Sequence, residues 1–226
     1  MILLTIDTVA TLCAANVWSA DAGRELGRAV RDPGKGHAEI LMAVIDEALA
    51  AAGRSYRDLG GVAAAVGPGS FTGIRVGVAA ARGLALALGV PATGVTTLDA
   101  LAEEARTAFP GRPVIAALDA RRDELYVAAY GTDGSLTSAP MAMRLPQGAE
   151  LAAGADFVLT GSGARMIAEA AGRLFDIAGE AATADIATYA RLAARQGFAG
   201  GKPKPLYLRA ADAKPQEGFA LPRRDG

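Results

Sequence analysis

Two apolar runs whose starts lie 112 residues apart constrain this chain more than any other feature. Ile2 to Ile6 ends at Asp7-Thr8, and Val114 to Leu118 ends at Asp119-Ala120. Both runs suit a short strand, and each is followed by a returning run, Thr11 to Trp18 in one case and Glu124 to Tyr130 in the other. Further along each half, a strand feeds a glycine turn and then a helix. Val62 to Val66 enters Gly67-Pro-Gly-Ser-Phe-Thr-Gly73, and Phe157-Val-Leu-Thr enters Gly161-Ser-Gly-Ala164. An offset of half the chain predicts a duplicated α/β unit, because a solenoid would repeat every roughly 20 to 50 residues.

The remaining elements fit between these. Arg24 to Val30 reads as a third strand, Asp32-Pro-Gly-Lys-Gly36 as a loop, and Ala38 to Ala52 as a helix ended by Gly53. A second helix spans Ile74 to Leu88, stopped by Gly89 and Pro91, and Val90 to Val95 reads as one more strand. That second helix carries Arg75 and Arg82 and falls short of the roughly 18 apolar residues a membrane span needs, so no membrane association is expected. The N-terminus has no basic leader and places Asp7 where a signal peptide is most apolar, which predicts a cytoplasmic protein.

Charge and cysteine usage exclude several function classes. Lys plus Arg total 23 against 24 Asp plus Glu, so bulk electrostatics do not favour nucleic acid, although a local patch remains open. One cysteine, Cys13, excludes an internal disulfide, and one histidine, His37, excludes any two-histidine metal site. From Gly200 the chain is rich in proline and locally basic, with Lys202, Lys204, Arg209, Lys214, Arg223 and Arg224. That tail reads either as a solvated terminus or as a contact to RNA or a partner.

The sharpest motif is Gly67-Pro-Gly-Ser-Phe-Thr-Gly-Ile-Arg-Val-Gly77. A glycine loop opening a helix can hold an anion on its N–H groups, which makes Gly69, Ser70, Thr72 and Gly73 candidates, with Gly161 and Gly163 their counterparts. It is not a Walker loop, since no lysine follows Thr72-Gly73. A dinucleotide loop fails as well, because Thr72 stands where the third glycine belongs, and Pro68 and Thr72 rule out a nucleophile elbow at Ser70. A purely structural turn is the competing reading. Asp7, with Thr8 beside it, and Asp119 end corresponding strands, where acids either sit near a nucleotide phosphate and its Mg²⁺ or cap the following turn. His37 has no serine or cysteine partner in view and reads as packing near a helix start. No residue emerges as catalytic, and no metal site is expected.

The long glycine motif resembles the signature of the TsaB (YeaZ) family of bacterial tRNA threonylcarbamoyladenosine biosynthesis proteins. The resemblance extends to Ile6-Asp7-Thr8, His37-Ala-Glu39, Leu118-Asp119-Ala-Arg121, Thr160-Gly-Ser-Gly163 and Pro205-Leu-Tyr-Leu-Arg209. It implies an α/β fold of two tandem RNase H-like halves, as in actin and Hsp70, with the second shortened; residues 1–98 and 99–226 would be the two domains. It further implies a non-catalytic partner of TsaD, the subunit that modifies adenosine 37 of tRNAs reading ANN codons. TsaE would dock on the TsaB–TsaD pair, tRNA would be met through the complex, and the chain would homodimerise when alone. No cofactor would be required, beyond weak ATP or ADP binding shared with TsaD. TsaD holds its metal with paired histidines in a His-x-x-x-His spacing, which this chain cannot supply. An actin-like ATPase or an M22-type glycoprotease is the alternative class.

Helical wheels point to a partner surface independently of the family. In Ala38 to Ala52 the acids Glu39, Asp46 and Glu47 occupy about 100° of arc, while apolar residues cover about 200°, wider than one packed face needs. Ile40, Leu41, Met42, Val44, Ile45 and Leu49 are candidates there, and Gly77, Ala80, Ala81 and Leu84 on the second helix, where small residues permit close approach. Mutual burial within one chain is the alternative.

Overall fold

A computed structural model describes residues 1–209; Lys214, Arg223 and Arg224 of the basic tail lie outside the described residues. The chain opens with β1 (Ile2–Asp7), β2 (Cys13–Ser19) and β3 (Arg24–Arg31), a meander, followed by α1 (His37–Ala51), β4 (Gly61–Ala65), α2 (Phe71–Leu88) and β5 (Ala92–Val95). α3 (Thr97–Ala108) leads to β6 (Val114–Asp119), β7 (Glu124–Tyr130) and β8 (Leu136–Arg144). Then come α4 (Leu145–Ala153), β9 (Val158–Thr160), α5 (Ala164–Ala171), β10 (Ile177–Gly179) and α6 (Ile186–Gln196).

Each half builds a five-stranded sheet with the same strand order, β3-β2-β1-β4-β5 and β8-β7-β6-β9-β10. The meander strands pair antiparallel, and the strands that follow helices add in parallel, β4 and β9 on the central strands β1 and β6, then β5 and β10 on β4 and β9, as crossover connections require. The 112-residue echo is therefore a repeated fold. The second copy is trimmed in its helices, with 9 residues in α4 against 15 in α1, and 8 in α5 against 18 in α2.

Central strands covered on both faces read as continuous apolar runs. On one face of the first sheet, Leu4, Ile6, Val17, Val62 and Ala64 pack against Leu41, Val44, Ile45 and Ala48 of α1 and Ala81 and Ala85 of α2. The opposite face takes α6, with Leu3 and Trp18 against Ala190. α3 covers the second sheet in turn, so α3 and α6 stand between the two lobes. One apolar core runs from Ala63 and Ala65 through Leu98, Leu101, Tyr189 and Leu192 to Ala116, Leu118 and Val158. The boundary expected between residues 98 and 99 falls in the first turn of α3, where Leu98 is fully buried in that shared core.

α2 starts three residues earlier than its apolar pattern suggests. Ser70 caps it, its Oγ accepting from the Gly73 N–H at 3.2 Å, and Gly89 ends it in the left-handed conformation with φ 67°. By length and composition α2 could cross a membrane. Its buried side (Ile74, Gly77, Val78, Ala81, Ala85) is committed to the first sheet, and its outer side carries Arg75 and Arg82.

Candidate functional site

The turn after β1 and the loop before α2 are pressed together. Thr8 donates its hydroxyl to the Gly73 carbonyl at 2.7 Å, and the Ser70 N–H donates to the Val9 carbonyl at 2.7 Å. Three of the motif's four glycines follow from this contact. A Cβ at Gly69 would sit 2.4 Å from the Val9 oxygen, one at Gly73 1.9 Å from the Thr8 oxygen, and one at Gly77 2.5 Å from the Thr8 hydroxyl. Only hydrogen fits, so the motif first serves backbone approach between α2 and β1.

The second half repeats the device. A Cβ at Gly161 would meet the Ala117 oxygen at 2.2 Å, the Gly163 N–H donates to that same carbonyl at 3.0 Å, and the Asp119 N–H donates to the Ser162 hydroxyl at 3.1 Å. Asp119 caps its own turn by accepting from the Arg121 N–H at 2.7 Å. Arg121, Arg122 and Asp123 hold this turn with φ values of 64°, 57° and 58°, a conformation that non-glycine residues seldom adopt in succession.

Asp7 is enclosed rather than open to a ligand. Its Oδ1 accepts from the Val9 N–H at 2.9 Å and its Oδ2 from the Thr183 hydroxyl at 2.6 Å; Thr183 also bonds the phenol of Tyr189 at 2.8 Å. Burial pushes the Asp7 carboxyl up to about 6, opposed by the hydrogen bonds from Thr183 and Val9 and by the nearby His37. A carboxyl raised on folding stabilises the fold most below its unfolded value near 3.8, and that stabilisation is lost as pH rises through about 6. Asp7→Asn should therefore gain stability relative to the parent by on the order of 3 kcal/mol between pH 4 and pH 7. Urea unfolding of both proteins at several pH values checks this; a parent-to-variant difference that does not change with pH contradicts it.

The nine anion-site candidates are thus not gathered into one open cleft. Asp7, Thr8, Gly73, Gly161 and Gly163 are buried, and both acids are engaged by the chain's own N–H groups. Gly69, Ser70 and Thr72 remain at an exposed tip. His37 is buried with Nε2 against the Leu12 carbonyl, 3.2 Å away. Among the described residues no cluster of three His, Cys, Asp or Glu could hold a metal ion.

The helix candidates separate by burial. Leu41, Val44, Ile45, Leu49, Gly77 and Ala81 face inward, because the first sheet and the β1–β2 turn use them, so they cannot form a partner surface. Ile40, Ala80 and Leu84 lie half-buried at the rim, and Met42 is exposed. Gly83, one of the small residues the wheel marks for close approach, is exposed, and Ala79 and Leu86, which the wheel does not single out, line the outer side of α2 with it and Thr72; Leu86 is 80% exposed. The signal was available, since glycines that must face the sheet at 73 and 77 fix positions 72, 79, 83 and 86 outward. At the start of this face the Arg75 guanidinium lies 3.6 Å from the centre of the Phe71 ring, and its Nε donates to the Tyr207 hydroxyl at 2.9 Å.

The family model described as TsaD, tRNA N6-adenosine threonylcarbamoyltransferase, matches residues 31–222. The chain belongs to the TsaD family. Its place is on the TsaB/YeaZ branch. It is 35% identical over 136 residues to the tRNA threonylcarbamoyladenosine biosynthesis protein TsaB of Escherichia coli (strain K12), a match covering 59% of this chain and 56% of that protein. To TsaB of Haemophilus influenzae it is 32% identical over 124 residues, 55% of this chain and 51% of the other. The chain thus spans about half the length of the curated relatives it matches. The solved structure of YeaZ from Pseudomonas aeruginosa superposes with a TM-score of 0.74 at 28% identity, covering 92% of this chain and 99% of that one. A second Pseudomonas aeruginosa structure, described as similar to peptidase YEAZ, gives 0.75 at 26% identity, again over 92% and 99%. The TsaB resemblance and the two-lobed α/β fold expected from it are both borne out.

Proposed function

We propose that this chain serves the biosynthesis of threonylcarbamoyladenosine in tRNA as a non-catalytic partner of TsaD. The observation that carries this reading is the outer face of α1 and α2, where Met42, Ala79, Gly83 and Leu86 stand uncovered and small residues leave room for another helix. The kinship with proteins named for that biosynthesis supplies the pathway. Modification of adenosine 37 in tRNAs reading ANN codons would be done by TsaD, with TsaE docking on the pair and tRNA met through the complex in the cytoplasm. Without TsaD the same face would pair with a second copy.

The buried state of Asp7 and the filled turn at Thr8 support a chain that does no phosphate chemistry alone; any weak ATP or ADP binding would be shared with TsaD. Purified protein with Mg²⁺ should therefore hydrolyse ATP no faster than buffer. Steady turnover abolished by Asp7→Asn would overturn the non-catalytic reading. The pathway is tested in a bacterial strain depleted of its own TsaB. Expression of this chain together with its cognate TsaD should restore threonylcarbamoyladenosine, measured by mass spectrometry of digested tRNA. Restoration by TsaD alone, or none with both, contradicts the proposal.

A further inference from the structure

The turn that opens α6 belongs to the second half by sequence, yet its side chains are tied to the first. Thr183 donates to Asp7 at the end of β1. Two residues on, Asp185 caps α6 through the Ala187 N–H at 2.8 Å and takes both guanidinium nitrogens of Arg28, on β3, at 2.7 and 3.2 Å. Glu104 of α3 closes the group, accepting from the Asp185 N–H at 2.7 Å and the Thr188 hydroxyl at 3.0 Å. Burial works against the Asp185 charge, but Arg28 and the Ala187 N–H hold its carboxyl below the usual range.

A second tie runs through the last described residues. The Leu206 N–H donates to the Val66 carbonyl at 2.8 Å, Tyr207 accepts from Arg75 on α2, and Arg209 pairs with Glu124 on β7. The Pro205-Leu-Tyr-Leu-Arg209 segment therefore touches both lobes. We infer that these two ties, added to the apolar core shared across α3 and α6, lock the lobes in one relative orientation, with the Thr183–Asp185 turn serving as the latch. Thr183 also occupies the Oδ2 side of Asp7. The lock also holds the outer face of α1 and α2 in a fixed relation to the second lobe.

Spin labels on Ala50→Cys and Glu169→Cys, both exposed and on different lobes, read the lock directly, since Cys13 is buried and will not compete for label. Pulsed dipolar spectroscopy should give one narrow distance distribution, unchanged by Mg·ADP. Thr183→Ala should at least double its width, and Thr183→Ser, which keeps the hydroxyl, should restore it. If Thr183→Ala does not fold, Arg28→Ala decides in its place, as it removes an exposed pair: widening supports the latch and an unchanged width overturns it. A broad distribution in the parent, a shift with Mg·ADP, or a Thr183→Ala distribution as narrow as the parent's also overturns it.

Discussion

Gly73→Val should lower the stability of this protein by about 4 kcal/mol or more, among the largest losses a single substitution produces. The cause is local and unavoidable. The added Cβ would lie 1.9 Å from the Thr8 carbonyl oxygen, a backbone atom held by the β1–β2 turn, so no side-chain rotation relieves the overlap. Either α2 withdraws from β1 and gives up the Thr8–Gly73 and Ser70–Val9 hydrogen bonds, or the turn deforms. For a chain of this size the loss should appear as a melting temperature about 8 to 16 °C lower. Gly83→Ala, on the same helix with no neighbour within 4 Å of its Cβ, is the control and should melt no lower than the parent. Equal melting temperatures for Gly73→Val and the parent would show that the glycine motif does not serve close approach.

The second large effect separates two residues of α1 that the sequence alone cannot tell apart. Val44 is 1% exposed against the first sheet, whereas Met42 is 47% exposed. Val44→Asp places an unpaired carboxylate in the core and should cost about 3 to 5 kcal/mol. Met42→Asp puts the same charge in water and should change stability by no more than about 0.5 kcal/mol. Urea denaturation of the pair measures this. Similar midpoints for the two variants would contradict the orientation of α1.

The duplicated fold was legible because strands announce themselves by short apolar runs, and repetition at one offset tied four of them together. Glu124 to Tyr130 has in the sequence the bounds it has in the structure, and β1–β6 and β9 agree within a few residues, whereas β8 and β10 carry no such apolar run. α3, α4 and α6 were not read, although Thr96 with Asp99 three positions on is a helix-start signal and its hydroxyl does cap the Asp99 N–H at 3.0 Å. The site was less legible. Asp7 carries the features of an acid at a ligand, and nothing near it in sequence shows that Thr183, 176 residues away, encloses it. The helix faces were partly legible: α1 is apolar nearly all round and shows no inward side in sequence, whereas in α2 the glycine spacing marks the side that meets Thr8.

Docking of TsaD on the outer face of α1 and α2, as proposed, makes that face the decisive one to perturb. Titration calorimetry of the purified chain with its cognate TsaD tests it most directly, comparing the parent with Ala79→Asp. Ala79 is exposed in the middle of α2, so the variant should melt like the parent. A charge buried without a partner in the interface should weaken binding at least a hundredfold, about 2.7 kcal/mol. Saturable one-to-one binding by the parent and that loss in the variant are expected. Binding of TsaD by Ala79→Asp at the parent's affinity, or no binding by the parent, would contradict it.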